Sequence, residues 1–495
     1  MDYRAVLQEL TWTRTILTLL SATITYSVTC VLYNAFLHPL RGFPGPKLAG
    51  ATGLYLGFYK FHGETHVVVK RLHDEYGPVV RVGPNQLSFI EETAWKDIYA
   101  YRGKDRSQMQ KGDKRGPGPK GPYHIINAPD DVHARQRKIL SSSFSDRALR
   151  DNQSLLIGYT EDVATRIREH AATKTPIDIA KYVEFYTSDI ISDFCFTESY
   201  GQLKAREQEP VIAAIHKFIP IEAKISILPA PLAFFILLQI LGRNQIRMLA
   251  KAEQQIKTRL QKNIDKKDVM HQLISHISED GNGITFRELS LNTLILMLAG
   301  SETTATALAG AFYYVLKNKH VLRKLTEEIR GCFNSTHEIT LDKLARLPYL
   351  NAVIEESLRL YSPVPAALSR VTPPGGASIS GHWIPGNTTV GIPHFAAFRS
   401  ARNFADPDAF HPERWLPNRP VEFETDRRAA FQPFSAGPRN CLGMNLAYAE
   451  LRLLLGRLFY EFNFALVDEE SRWDDQKAYM LYRKPPLMLH VAPRL

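Results

Sequence analysis

The sequence predicts a mainly α-helical domain with a small β region, preceded by an N-terminal membrane-spanning helix. Three observations carry this. An amphipathic helix pattern runs from Leu442 to Tyr460. A longer apolar pattern opens at Thr285 and continues to about Leu316. No charged residue occurs between Thr15 and Leu37.

The chain has 495 residues, 44% of them hydrophobic. That length permits two or three domains. No composition break, serine-rich linker or internal repeat divides it, so the expected order is a tail (1–14), an anchor (15–37), a proline-rich hinge (38–50) and one large domain (51–495). Cys30, Cys195, Cys332 and Cys441 are too few and too scattered for a disulfide scaffold or a zinc pattern. The net charge of +10 suits an anionic membrane or an acidic protein partner, or is simply an ordinary solvated surface. No lysine/arginine block is interleaved with aromatics, which argues against nucleic acid.

Arg14 and Arg41 bracket the charge-free run, which is long enough to cross a hydrocarbon core of about 30 Å. A cleaved signal peptide and an interfacial helix are the rival readings. The sequence offers no clear small-x-small cleavage site, and Phe43-Pro44-Gly45-Pro46 is a stiff turn rather than a processing site. The basic flank of Arg41, Lys47 and Lys60 predicts a cytoplasmic body, in which the sequons at Asn152, Asn334 and Asn387 carry no glycan. A second apolar run, Ile225 to Leu241, is broken by Pro229 and Pro231. It reads either as buried core or as a surface that dips into a membrane.

Thr285-Phe286-Arg287-Glu288 is a capping box. The helix it opens is apolar enough to run through a core, yet its middle reads Ala299-Gly300-Ser301-Glu302-Thr303-Thr304. Glycine and paired threonines are poor mid-helix choices, and a buried glutamate is costly without a partner. Such local violations mark functional sites. A helix kinked by threonine back-bonding, with no chemistry, is the alternative. A further helix over Asn351–Leu360 places Glu356 and Arg359 on one face.

The segment Phe434-Ser435-Ala436-Gly437-Pro438-Arg439-Asn440-Cys441-Leu442-Gly443 sets one cysteine between two glycines at a helix entrance. Gly437 and Gly443 permit a tight turn around the sulfur. The orphan amides and positive end of the helix favour a thiolate. Arg439 is close enough to meet a carboxylate on whatever the sulfur binds. A lone cysteine before a helix is ordinarily a small buried residue. Here Phe434, Gly437, Arg439, Cys441 and Gly443 together match a known pattern, and the chain resembles the cytochrome P450 family of haem-thiolate monooxygenases.

The resemblance implies the cytochrome P450 fold, haem b as cofactor and Cys441 as the axial iron ligand, with Phe434 beside the sulfur and Arg439 on a haem propionate. It implies that Ala299 and Gly300 leave room for dioxygen, that Thr303 donates a hydrogen bond where oxygen is activated, and that Glu302 relays protons. The order Glu356-x-x-Arg359, then Phe410-His411-Pro412-Glu413-Arg414-Trp415, then the cysteine loop is the family's order. It implies a buried triad of Glu356, Arg359 and Arg414. His133-Ala134-Arg135-Gln136-Arg137 matches a helix with histidine in place of the family's tryptophan. The resemblance implies Arg137 and, more weakly, His133 as further propionate partners, with Arg370 of Leu368-Ser369-Arg370 another; a solvated basic helix is the alternative for Arg137. Phe398 takes a place where the family often has histidine, removing a donor from a strand end.

Gly116-Pro117-Gly118-Pro119-Lys120-Gly121 fits G-x-G-x-x-G literally, but its prolines remove the backbone donors a nucleotide loop needs. It reads as a mobile loop near the substrate mouth. Electrons are therefore expected from NADPH through a separate reductase, with cytochrome b5 as an auxiliary donor. The expected location is the endoplasmic reticulum membrane. The expected reaction is hydroxylation or epoxidation of a lipophilic small molecule with O2. Ala299, Val364, Ala366, Ala367 and the Ala478-Tyr479-Met480 turn are expected to line the pocket. The hinge, the His133 variant and Pro-Glu-Arg-Trp resemble fungal members that tailor secondary metabolites such as terpenoids or polyketides. A reductase-independent isomerase or dehydratase and a non-enzymatic haem sensor or carrier are the alternatives.

Overall fold

The apolar N-terminal run is helical throughout. In the computed structural model, α1 (Tyr3–Leu32) passes into one π-helical turn (Tyr33–Leu37). The structure describes residues 3–103, 107–112, 121–196, 199–228, 232, 236, 249–261, 269–278 and 283–494. The stretch Trp12–Leu37 is long and apolar enough to cross a membrane. Its serines and threonines do not spoil it. The hydroxyls of Thr18, Thr23, Ser27 and Thr29 each donate to the carbonyl four residues earlier, so these four are not left bare in an apolar surrounding.

Six further helices carry the argument: α2 (Thr65–Tyr76), α3 (Asp130–Ser141), α4 (Ile179–Phe196), α5 (Phe286–Lys317), α6 (Pro348–Leu360) and α7 (Met444–Glu461). The capping box forms as the sequence requires: Thr285 Oγ1 accepts from the Glu288 amide at 3.1 Å, and Glu288 accepts from the Thr285 amide at 3.0 Å. From there α5 runs through the core, burying Leu289, Met297, Leu308 and Phe312. Because two thirds of its apolar stretch is buried in protein, this is a core helix rather than a span.

The strands are β1 (Val79–Gly83), β2 (Gln86–Phe89), β3 (Gln110–Lys111), β4 (Ile177–Asp178), β5 (Arg370–Val371), β6 (Ala377–Ile379), β7 (His382–Ile384), β8 (Thr389–Gly391), β9 (Phe462–Leu466) and β10 (Met488–Pro493). They form a five-stranded sheet in the order β1-β2-β8-β5-β3, a three-stranded sheet β4-β10-β9 and the hairpin β6-β7. Only β2 and β8 pair in parallel within these sheets. The expected architecture, mainly helical with a small β region, is what the chain adopts.

Two glycines of α5 sit at close approaches. A Cβ at Gly300 would lie 2.6 Å from Cγ1 of Ile191 on α4, and one at Gly310 would lie 2.5 Å from the Tyr361 ring. Gly300 therefore lets α4 and α5 approach closely. Phe398 ends a short helix, His394–Phe398, rather than a strand. Its ring is buried against Trp95, His394 and Phe431, a place for an apolar ring rather than a donor. Gly116–Lys120, from the glycine–proline loop, and most of the Ile225–Leu241 run beyond Leu228 lie outside the described residues.

Candidate active site

The cysteine loop is closed by its own backbone. The Ser435 amide donates to Gln432 at 2.9 Å, Asn440 to Gly437 at 3.1 Å and Cys441 to the Phe434 carbonyl at 2.8 Å. The turn requires positive φ at Ser435 (61°) and Gly437 (76°). At Gly437 a Cβ would sit 1.9 Å from the Tyr99 carbonyl oxygen, so glycine is obligatory there. Gly443 is different. Its φ is −90°, and a Cβ built on it would meet no atom within 4 Å. The backbone does not need that glycine, contrary to the sequence expectation; what it keeps is open space beside Cys441.

Cys441 retains accessible surface although protein encloses it, the signature of a side chain facing an internal cleft. Burial pushes its thiol up, while the Gly443 amide and Arg137 act in the opposite direction. Arg137, on α3, donates to the Asn440 carbonyl at 2.6 Å and to the Asn440 side chain at 2.8 Å. It braces the residue before the cysteine and contributes positive potential there. The Phe434 ring packs on Tyr448 of α7, with centroids 5.0 Å apart.

The other cations gather nearby. Arg439 pairs with Asp130 at 2.7 Å and donates to the Ala128 carbonyl at 2.7 Å. His133 is buried and held neutral, its pKa lowered to about 4 by burial and then by Arg439 and Arg137. Arg370 is 5% exposed. Its guanidinium lies 5.0 Å from the Tyr99 ring centroid and donates to the Ser369 carbonyl at 3.1 Å. Among the described residues it has no carboxylate within ion-pairing distance. A buried guanidinium without an anion is costly. Arg137, half-buried, has only neutral acceptors among the described residues. This donor set, beside a cysteine facing open space, fits a flat cofactor that carries carboxylates and binds thiolate through a metal.

On α5 the threonine hydroxyls bond back along the helix: Thr303 to Ala299 at 2.6 Å and Thr306 to Glu302 at 2.8 Å. Thr303 is half-buried and Glu302 buried. The partner of Glu302 is a residue the sequence gave no reason to choose. Lys484, just before β10, makes an ion pair with it and donates to Thr306 Oγ1 at 2.8 Å. Both side chains are over nine-tenths buried.

The triad comes together completely. Arg359 donates two hydrogen bonds to Glu356, both 2.8 Å, and Arg414 one at 3.1 Å, all with no exposed side-chain surface. Two members were not legible in the sequence. Trp415 donates to Glu356 at 2.9 Å, and Asp426 takes the second face of Arg414. Burial alone would raise the Glu356 carboxyl. Arg359, Arg414 and the His411 amide outweigh it and hold the group below the usual glutamate range.

A cysteine presented by a braced loop at a helix entrance, with Arg137 bracing that loop and the buried, anion-free Arg370 nearby, defines a haem-thiolate protein. The cytochrome P450 family model matches residues 44–491, and the chain belongs to that family. It is 38% identical to cytochrome P450 monooxygenase aclL of Aspergillus oryzae over 485 residues, covering 96% of this chain and 98% of that one. It is 37% identical to monooxygenase atr2 of Stereocaulon alpinum (95% and 94% covered) and 35% identical to efuB of Hormonema carpetanum (95% and 95%). The protein is thus an oxygen-incorporating oxidoreductase that uses haem with a cysteine thiolate ligand and a redox partner.

Proposed function

We propose that the protein hydroxylates or epoxidises a lipophilic small molecule of secondary metabolism, of the terpenoid or polyketide kind. Electrons come from NADPH through a separate reductase, assisted by cytochrome b5. The body sits on the cytosolic face of the endoplasmic reticulum. The domain order is the one read from the sequence: tail 1–14, anchor 15–37, hinge 38–50 and haem domain 51–495.

Haem b bound through Cys441 supplies reductive activation of dioxygen, and the thiolate favours O–O cleavage. The chain's own residues do the rest. Arg137 and the Gly443 amide favour negative charge on the Cys441 sulfur. Arg370, Arg439, Arg137 and His133 hold the cofactor's carboxylates. Glu302 carries protons inward from the Lys484 side, and the Thr303 hydroxyl presents a proton at the reacting oxygen. The observation that carries this reading is the Cys441 loop itself, closed by the Cys441–Phe434 hydrogen bond. The reduced, carbon-monoxide-bound absorption spectrum tests it. A strongly red-shifted Soret band supports Cys441 ligation, and bound haem without that shift contradicts it.

Thr303→Ala is expected to uncouple turnover: reductant is consumed at a similar rate while most of it appears as peroxide. Unchanged product per reductant removes the role assigned to Thr303. Lys484→Met strips the partner from a buried carboxylate, which typically costs about 3–5 kcal/mol. A lower melting temperature and a larger peroxide fraction are expected; if both stay at wild-type values, the pair does not serve the proton route.

A further inference from the structure

Of the groups assigned to the cofactor's carboxylates, Arg439 alone is already ion-paired among the described residues. Its partner, Asp130, is the first residue of α3, the helix that also carries His133 and Arg137. The contact is oriented. A guanidinium has five N–H donors. Nε and Nη2 of Arg439 both donate to Asp130 Oδ1, at 3.1 and 2.7 Å, and Nη2 also donates to the Ala128 carbonyl at 2.7 Å. Both donors on Nη1 are left over. The second carboxylate oxygen, Oδ2, accepts from Gln110 at 3.2 Å. Gln110 lies on β3, where its neighbour Lys111 is paired with Arg370 of β5. Asp130 is thus fastened on one side to the strands that carry Arg370 and on the other to the arginine of the cysteine loop.

This pair does little for stability. The Asp130 side chain is 42% exposed, against 12% for Arg439, and a pair with one wet partner is screened by water. Its charge matters more. Asp130 is the one carboxylate paired with Arg137, Arg370 or Arg439 among the described residues, and His133 is held neutral. Lys111 stands at the exposed edge, bonded to the Ile126 carbonyl, where solvent screens it. Three guanidinium groups and one carboxylate leave two positive charges without a counterion. Haem b carries two propionates.

We propose that Asp130 is a positioning residue for the cofactor: it grips Arg439 by one edge so that Nη1 alone reaches a propionate, and it offsets part of the positive potential beside the iron. Reduction adds one electron to the iron, so a carboxylate removed from this neighbourhood makes that electron easier to accept. The inference rests on the propionate assignment given under the proposed function, and the test separates the two.

Full-length, haem-loaded protein is titrated with dithionite in the presence of redox dyes. Asp130→Asn keeps the size and an acceptor oxygen but removes the charge. At a fixed potential its ferrous-to-ferric ratio should rise about threefold, an upward shift of about 28 mV at 59 mV per tenfold. Asp131→Asn makes the same charge change one residue on, in the same first turn of α3, but on an exposed side chain that does not bond Arg439. Its potential should stay near that of the parent. Asp130→Glu restores the charge and should return most of the shift. The propionate bending bands in the resonance Raman spectrum report on Arg439 directly. Arg439→Met should shift one band, and Asp130→Asn should move the same band; Arg439→Lys serves if Arg439→Met loads too little haem. An unchanged potential in Asp130→Asn, an equal rise in Asp131→Asn, or a lower melting temperature with no change in potential overturns the positioning role. If substituting Arg439 leaves both propionate bands in place, it is the propionate assignment that fails, and the role of Asp130 falls with it.

Discussion

Glu356→Ala yields protein that does not retain haem and unfolds at markedly lower temperature. Glu356 accepts from Arg359, Arg414, Trp415 and the His411 amide. Removing it leaves two guanidinium groups with no side-chain exposure facing one remaining carboxylate, Asp426. Breaking a buried pair in this way costs about 3–5 kcal/mol, a large share of the stability of most domains. The loss propagates to the cofactor because Trp415 packs on Phe431, with centroids 4.8 Å apart, and the chain then enters the cysteine loop. The haem-to-protein absorbance ratio and the melting temperature measure the effect. Full haem loading at wild-type stability would contradict it. The same site sets a direction with pH. The Glu356 carboxyl is held below its usual range, so its contribution is present above the unfolded-state value of about 4.3. It is lost as pH falls through the lower folded-state value. Glu356→Gln should flatten that part of the acid unfolding curve.

Cys441→Ser removes the sulfur and keeps the loop. The Cys441 amide still bonds the Phe434 carbonyl, and Gly437 still clears Tyr99, so folding should be near normal. The expected result is loss of the red-shifted carbon-monoxide band together with at least a hundredfold loss of monooxygenase turnover. A variant that keeps the band would assign ligation to some other residue.

The sequence was informative where local rules conflict. A glutamate and two threonines in the middle of an apolar helix, and a cysteine between glycines at a helix start, both pointed to the site. The capping box at Thr285 located α5 to the residue. What the sequence missed depends on distant contacts. Lys484 lies 182 positions from Glu302, and its own surroundings, Tyr482-Arg483-Lys484-Pro485, read as an ordinary basic turn. Asp426 had no pattern to mark it as an Arg414 partner. Gly300 is a further case: the approach of Ile191 from another helix is invisible in the local sequence. The residues read as propionate partners differ in their surroundings. Arg370 is buried and awaiting an anion, Arg439 is already paired with Asp130, and Arg137 faces the loop through Asn440.

The N-terminal helix does not end in a free tether. Asn34, in its last turn, donates to the Ala51 carbonyl at 3.1 Å, and its own carbonyl accepts from Arg81 at 3.0 Å. Arg81 is buried and otherwise donates to the Pro84 carbonyl. Anyone trimming the protein for crystallisation meets this joint first. A chain that starts after Leu37 deprives a buried guanidinium of an acceptor and exposes the surface that Asn34 covered. Starting before Tyr33 discards the greasy segment but keeps the clasp, and should give the better-behaved soluble enzyme.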